Sequence, residues 1–598
     1  MATRPDPARL NLLAKESGTI RKDWHGRLKI ALVYPNTYHV GMSNLGFQTV
    51  YKLFNDFDQV VCERAFLSDE PGQSETRPRS LESGQLLTAF DLIAFSVSFE
   101  NDYPNLLKIL QLSGIPLRTQ DRDARYPLIV VGGVTSFLNP EPLSPFVDCF
   151  LIGEAEGILP SFLTHYDPDA DKDSALPYLA QSVAGLYVPA LYRITYHTDG
   201  TLRAVKPIGQ TPAQVKRVYV QDLDTPVCST ILTDETTFDN TYLVEVTRGC
   251  PHGCRFCSAG YIYRPPRFSS RPALEQAITQ GAALTDRLGL VGAAVSDWPE
   301  LNSLCRQFRT LPLEKPGPSS PLKFSFSSLR ADALTPELIA ELKHSGVKTA
   351  TLAPDAGSER MRRVINKGVT EAHLLSAAEA LVAGGIPNLK LYFMVGLPSE
   401  TEDDVAAIVG LIKKIKHVFL QSSRARKRIG EITVSLNSFV PKPFTPFQWV
   451  PMDDVRRLKN KIKQVKTGLK RVANVRVHAD LPRWAYIQAL LTRGDRKVAE
   501  ILRAAVHNQG NWAHTFKASA VNPDFYVYRQ RQPTEIMPWD FIDHGLSKDY
   551  LLQEYRKALD GRTSPPCRVE SCRACGICHP KPPSSASKFA LPHPKKKT

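Results

Sequence analysis

The chain has 598 residues, with 75 Lys and Arg against 60 Asp and Glu and a formal charge of +15. Such a length exceeds one ordinary core and calls for about three or four domains, and no apolar run of about 18 residues is present to span a bilayer. The start Met1-Ala-Thr-Arg-Pro-Asp lacks the apolar stretch of a signal peptide, so a soluble, cytoplasmic protein without membrane contact is expected.

After an N-terminal extension (1–27), residues 28–184 alternate short apolar runs with helical segments. Strands are expected at 29–34, 59–62, 92–97, 128–131 and 149–152, with helices at 45–55, 105–112 and 158–165. Continuous apolar strands separated by helices imply an α/β, doubly wound domain with a parallel sheet covered on both faces. Ligands bind such sheets outside the carboxyl ends of the strands, here at 36–43, 96–100 and Gly132-Gly133-Val-Thr-Ser136. Residues 185–240 read as a β-rich connector with a hairpin turning at Asp199-Gly200.

A second βα alternation fills 241–450, with strands at 242–246, 288–291, 323–327, 348–353, 389–395 and 431–438. Six such units fit a partial parallel barrel, whose chemistry sits at the C-terminal ends of the strands. Residues 451–560 are expected to be helical and basic, and Val455, Leu458, Ile462, Val465 and Leu469 share one helical face. Lys and Arg crowd into 413–428 and 456–476; nucleic acid is one reason for that, and a solvated amphipathic face is the other. A four-Cys cluster occupies 561–580, and the Pro-, Ser- and Lys-rich tail 581–598 reads as disordered.

Seven of the 11 cysteines lie in two tight groups, which in a reducing compartment signals metal binding; Cys62, Cys149, Cys228 and Cys305 read as ordinary free thiols. The first group, Cys250, Cys254 and Cys257, follows the first barrel strand with C-x3-C-x2-C spacing. Three thiolates leave one iron of a 4Fe-4S cluster open to a ligand, whereas an electron-transfer cluster usually has four. Zinc is the competing metal, with His252 the nearby candidate for a fourth ligand. The second group, Cys567, Cys572, Cys575 and Cys578, offers four thiolates within twelve residues and reads as an auxiliary 4Fe-4S cluster or structural zinc.

At the three-cysteine loop the sequence resembles the radical S-adenosylmethionine (SAM) superfamily, over residues 242–442. The resemblance implies that the open iron chelates the amino and carboxylate groups of SAM, and that an electron cleaves it to a 5′-deoxyadenosyl radical. It also implies that Gly292, Ala293 and Ala294 hold the SAM amino group, although the usual Gly-Gly-Glu pattern is absent there. Arg330, at the end of the third strand, would meet the SAM carboxylate or else form a surface ion pair, and Asp355 would meet the ribose. The segment 390–401 would pack near adenine, with Phe393 and Met394 in the core.

Val130-Val-Gly-Gly133, Asn139-Pro-Glu-Pro142 and Val147-Asp-Cys-Phe-Leu-Ile-Gly-Glu-Ala-Glu156 are similar to the cobalamin-binding domain of cobalamin-dependent members. That likeness implies cobalamin near Gly132 and Gly133. The Asp-x-His-x-x-Gly loop that supplies an axial His is missing and His39 has the wrong spacing, so base-off binding is expected, or else a scaffold or substrate platform. The reading is a radical SAM enzyme that cleaves SAM reductively, with cobalamin-dependent methylation as the outcome if corrinoid binds. It would take electrons from a reducing partner such as flavodoxin or ferredoxin. The alternatives are radical modification of RNA, such as methylthiolation, and a non-catalytic binding protein stabilised by zinc.

Overall fold

A computed structural model describes residues 6–68, 76–310, 322–327, 329–424 and 429–578. The expected disordered tail 581–598 lies outside the described residues, as do 1–5 of the extension and 425–428 of the first basic run.

Apolar runs build the first sheet from β1 (Leu28–Thr37), β2 (Val60–Leu67), β3 (Leu92–Ser96), β4 (Leu128–Gly132), β5 (Cys149–Leu151) and β6 (Leu186–Tyr187), in the order β2-β1-β3-β4-β5-β6. The first five are parallel and β6 closes the edge antiparallel to β5. Successive side chains feed opposite faces: Ile30 and Leu32 enter one core, Ala31 and Val33 the other. Strand order reverses between β1 and β3, which opens a crevice at their carboxyl ends, the place where such sheets bind ligands. Asn44 caps the helix Leu45–Asn55 there, its side chain accepting from the Phe47 N–H at 3.0 Å.

The expected hairpin is present as β7 (Tyr192–Tyr196) and β8 (Leu202–Pro207). Next, β9 (Val215–Lys216) pairs with Ile542–Asp543 near the C-terminus. The second αβ unit begins with β10 (Tyr242–Arg248), flanked by the short antiparallel β11 (Arg267–Phe268), and continues through β12 (Arg287–Gly292) and β13 (Lys323–Phe326). A further parallel sheet comprises β14 (Thr349–Asp355), β15 (Asn388–Val395), β16 (Ile432–Ser438) and β17 (Val475–Ala479). The six expected strands are thus all formed, in two four-stranded sheets.

The seventh parallel strand is a correction, because the stretch 451–560 is helical only in part. β17 is short and half-exposed, with Arg476 and His478 turned outward and no residue fully buried, whereas β16 beside it buries Ile432, Val434 and Leu436. The basic helix Val455–Leu469 is the crossover that precedes it, burying Leu458, Ile462, Val465 and Leu469. No helix among the described residues is long and apolar enough to cross a membrane.

The glycine pair at the end of β4 divides its tasks. Gly133 has φ +100°, and a Cβ there would lie 2.4 Å from the Val97 carbonyl oxygen, whereas a Cβ on Gly132 would meet nothing within 4 Å. We expect Gly133→Ala to destabilise the protein by about 1–3 kcal/mol and Gly132→Ala to leave its melting temperature nearly unchanged, as measured by thermal unfolding of the two variants.

Candidate active site

β10 delivers the first cysteine group to the carboxyl end of the sheet. The chain turns at Gly249 (φ +82°), where a Cβ would sit 2.7 Å from the Tyr263 carbonyl oxygen. Cys250, Cys254 and Cys257 follow, and the Cys257 N–H donates to the Cys254 carbonyl at 3.0 Å. Burial pushes the Cys250 thiol up to about 12, and neighbouring Cys254 adds to the shift. Burial likewise raises Cys254 to about 11, opposed by the charge of Lys367. Burial raises the Cys257 thiol as well, and the backbone amides of Ala259 and Gly260 offset part of that rise.

These thiols form no disulfide, and among the described residues no three Cys, His, Asp or Glu side chains are drawn tight enough to hold a single ion. A four-iron cluster takes its thiolates on separate irons. Three neighbouring thiols, Cys254 buried and Cys250 and Cys257 partly so, with the amides of Ala259 and Gly260 at Cys257, suit that group. His252, the candidate fourth zinc ligand, is held instead by Asp297, with Nε2 at 2.8 Å from Oδ1.

Two cavities meet the loop. The first, of about 490 Å³, lies between the sheets and is mostly apolar. Gly132 and Gly133 of the N-terminal sheet line it, together with Gly292 and Ala293 from the end of β12 and Gly249 and Ala259 from either side of the cysteines. Ala294 is buried beside it, its N–H donating to Thr247 Oγ1 at 3.3 Å. A second cavity, of about 600 Å³, takes in His252, Gly253, Arg330 and Lys367, with the segment 563–566 as one wall.

The residues singled out as SAM contacts are therefore divided. Gly292 and Ala293 face the first cavity; Arg330 faces the second and is bound to Asp332 through Nε at 3.0 Å and Nη2 at 2.8 Å. Asp355 lies beneath the cysteine loop at φ +60° and pairs with Lys367 at 2.6 Å. Burial raises its pKa and Lys367 offsets part of that rise. His39 is turned away from the first cavity: Nδ1 lies 3.1 Å from the Glu235 carbonyl and Nε2 lies 3.2 Å from Thr237 Oγ1. The cavity lining holds no histidine among the described residues.

An ion-pair network that sequence reading did not find closes the rim of the first cavity. Glu154, just after β5, accepts from Arg267 at 2.6 and 2.9 Å, from Arg248 at 2.9 Å and from the Val220 N–H at 3.1 Å. Arg248 also donates to Glu156 at 2.7 Å and to Glu245 at 2.6 Å. Burial works against the Glu154 carboxylate, but the hydrogen bonds of Arg267 and the charges of Arg248 and Arg267 outweigh it and hold its pKa below the usual value. The network joins the N-terminal sheet to the strand that carries the cysteines, between residues far apart in sequence and without any local motif.

The second cysteine group sits directly on the first. The Cys567 N–H donates to the Pro251 carbonyl at 2.7 Å, and Asn366 bridges the Gly253 carbonyl, at 3.1 Å, to the Ser564 N–H, at 2.8 Å. Arg255, fully buried between Cys254 and Phe256, donates to Glu554 at 3.1 Å and to the Arg562 carbonyl at 2.8 Å. Arg264 donates to the Gly260 carbonyl at 2.6 Å and to Tyr550 at 3.2 Å, and its charge acts on the Cys567 and Cys578 thiols.

Family models match both units of the chain. A model described as radical SAM proteins, N-terminal, matches residues 46–189, and the model of the radical SAM superfamily matches 244–412. An uncharacterized protein of Methanocaldococcus jannaschii is 29% identical over 480 residues, covering 79% of this chain and 90% of that one. The tRNA-2-methylthio-N(6)-dimethylallyladenosine synthase of Sorangium cellulosum is 26% identical over 229 residues, covering 34% and 44% of the two chains. Among solved structures, the radical SAM methyltransferase TsrM of Kitasatospora setae, with cobalamin and a 4Fe-4S cluster bound, aligns with a TM-score of 0.46 at 14% identity, over 82% of this chain and 97% of that one. With its N-terminal sheet and its cysteine-bearing strands each matched by a model of that superfamily, the chain belongs to the radical SAM superfamily.

Proposed function

We propose that this radical SAM enzyme methylates a substrate seated in the cavity between the sheets, with SAM at the β12 edge and cobalamin at the β4 edge. The observation that carries the reading is that both glycine-bearing strand ends, Gly132-Gly133 and Gly292-Ala293, line one cavity beside the three-cysteine loop. A 4Fe-4S cluster on Cys250, Cys254 and Cys257 would supply an electron to SAM, and cobalamin a methyl group for transfer. The chain's own part is positioning and the exclusion of water. Apolar side chains such as Leu32, Val130 and Leu151 wall the cavity, and the Glu154–Arg267–Arg248 network fixes its rim. The open space over Gly132 lets a large planar group approach the backbone.

Anaerobic reconstitution with iron, sulfide and hydroxocobalamin, followed by counting of iron and corrinoid per chain, tests this. Wild type should retain both. Gly132→Phe should keep its iron and lose corrinoid, whereas Cys250→Ser should lose iron and SAM turnover while keeping corrinoid. A wild-type protein without corrinoid would sink the cobalamin assignment, and SAM turnover undiminished in Cys250→Ser would sink the cluster assignment.

The reading also requires the C-terminal segment to stay seated on the cysteine loop. Arg255 is its fully buried anchor, and removing it strands the Glu554 carboxylate oxygen that it serves. Arg255→Leu should therefore cost about 3–5 kcal/mol and expose residues 548–578 to trypsin, and Arg255→Leu with Glu554→Gln should recover part of that stability. Limited proteolysis and thermal melts of both variants check the expectation.

A further inference from the structure

Between Val455 and Ala479 the chain carries nine Lys and Arg and no Asp or Glu. The structure turns this run into a surface. The apolar side of the helix Val455–Leu469 is spent on packing, with Leu458, Ile462, Val465 and Leu469 buried, and Arg456, Lys459, Lys463, Lys466 and Lys470 are all exposed. Their spacing of three and four residues draws one stripe about 21 Å long. Among the described residues, only Lys461 and Arg476 of the nine are in ion pairs, with Glu400 and Asp453 and with Glu431. A face kept merely soluble mixes both signs of charge, whereas this one is of a single sign.

Beside the stripe, β17 forms the edge of its sheet and turns Arg476 and His478 outward. The chain then enters the helix Pro482–Arg493, whose first turn presents Trp484, 43% exposed, with the Arg483 guanidinium 5.5 Å from its ring centroid. An exposed indole next to unpaired cations is what a stacking platform needs, because every base has a π-face. An anionic lipid surface fits less well, since a helix lying in a membrane needs its apolar side free. β17 is parallel to its neighbours, so Trp484 follows the same carboxyl edge of the sheet at which β14, β15 and β16 end.

We propose that the stripe on Val455–Leu469 and the Trp484 platform form a binding surface for a single-stranded polynucleotide, phosphates on the lysines and a base on the indole. This inference stands apart from the methylation reading, because binding is measured without any cofactor. The full-length protein is titrated with fluorescein-labelled 20-mers of uridine and of thymidine by fluorescence anisotropy, across a salt series. Wild type should bind at low salt and weaken as salt rises. Lys463→Gln with Lys466→Gln should lower affinity about tenfold and reduce the salt slope by about 1.4. Trp484→Ala should lower affinity about tenfold with the slope unchanged. Tighter binding of the uridine strand assigns the surface to RNA, and tighter binding of the thymidine strand assigns it to DNA. Absence of binding by the wild type, equal binding by all variants, or binding to phosphatidylserine vesicles but to neither strand would overturn the proposal. The substituted side chains are exposed, and circular dichroism verifies that each variant is folded.

Discussion

The architecture depends on one buried carboxylate. Glu154 belongs to the N-terminal sheet, and the guanidinium groups that neutralise it, Arg248 and Arg267, belong to the strands flanking the cysteine loop. A carboxylate taken out of water is tolerated only when its charge and lone pairs are met, and removing a partner from such a pair costs about 3–5 kcal/mol. The two sheets are therefore fixed in relation to each other by electrostatics at the rim of their shared cavity. The apolar walls behind the rim then define a volume in place of a loose seam.

A similar logic governs the C-terminal segment. Arg255 stands between Cys254 and Cys257 in the chain, and its guanidinium is saturated by Glu554 and by the carbonyls of Arg363, Val364 and Arg562. Because Cys567 donates directly to Pro251, the four-cysteine group is part of the surroundings of the first group and not an appendage. The two cysteine groups share their neighbours. Burial raises the thiols, and the charges of Lys367 and Arg330 at Cys254 and of Arg264 at Cys567 act against that rise, in favour of the thiolates.

Much of this was legible in the chain, and what was missed has a physical cause. Five N-terminal strands and six barrel strands are expected within a few residues of where they form, because the N-terminal strands are apolar runs buried on both faces and β14, β15 and β16 alternate buried apolar residues with more exposed ones. β17 escapes both signals: it is a short edge strand in which no residue is fully buried. The cysteines announce themselves by spacing alone. The distribution of their neighbours does not, since the end of a strand tells which rim a residue reaches but not which cavity. Hence Gly292 and Arg330, both assigned to SAM from their strand ends, face different spaces. The Glu154 network is the harder case, because its partners lie 94 and 113 residues away and nothing local distinguishes them from surface charges.

The central claim is that two glycine-bearing strand ends from different domains share one ligand cavity. Hydrogen–deuterium exchange on the anaerobically reconstituted protein, with and without corrinoid and SAM, tests it directly. The account predicts that residues 130–134 and 291–294 gain protection together when both ligands are present. Protection of one segment without the other, or of neither, would contradict it.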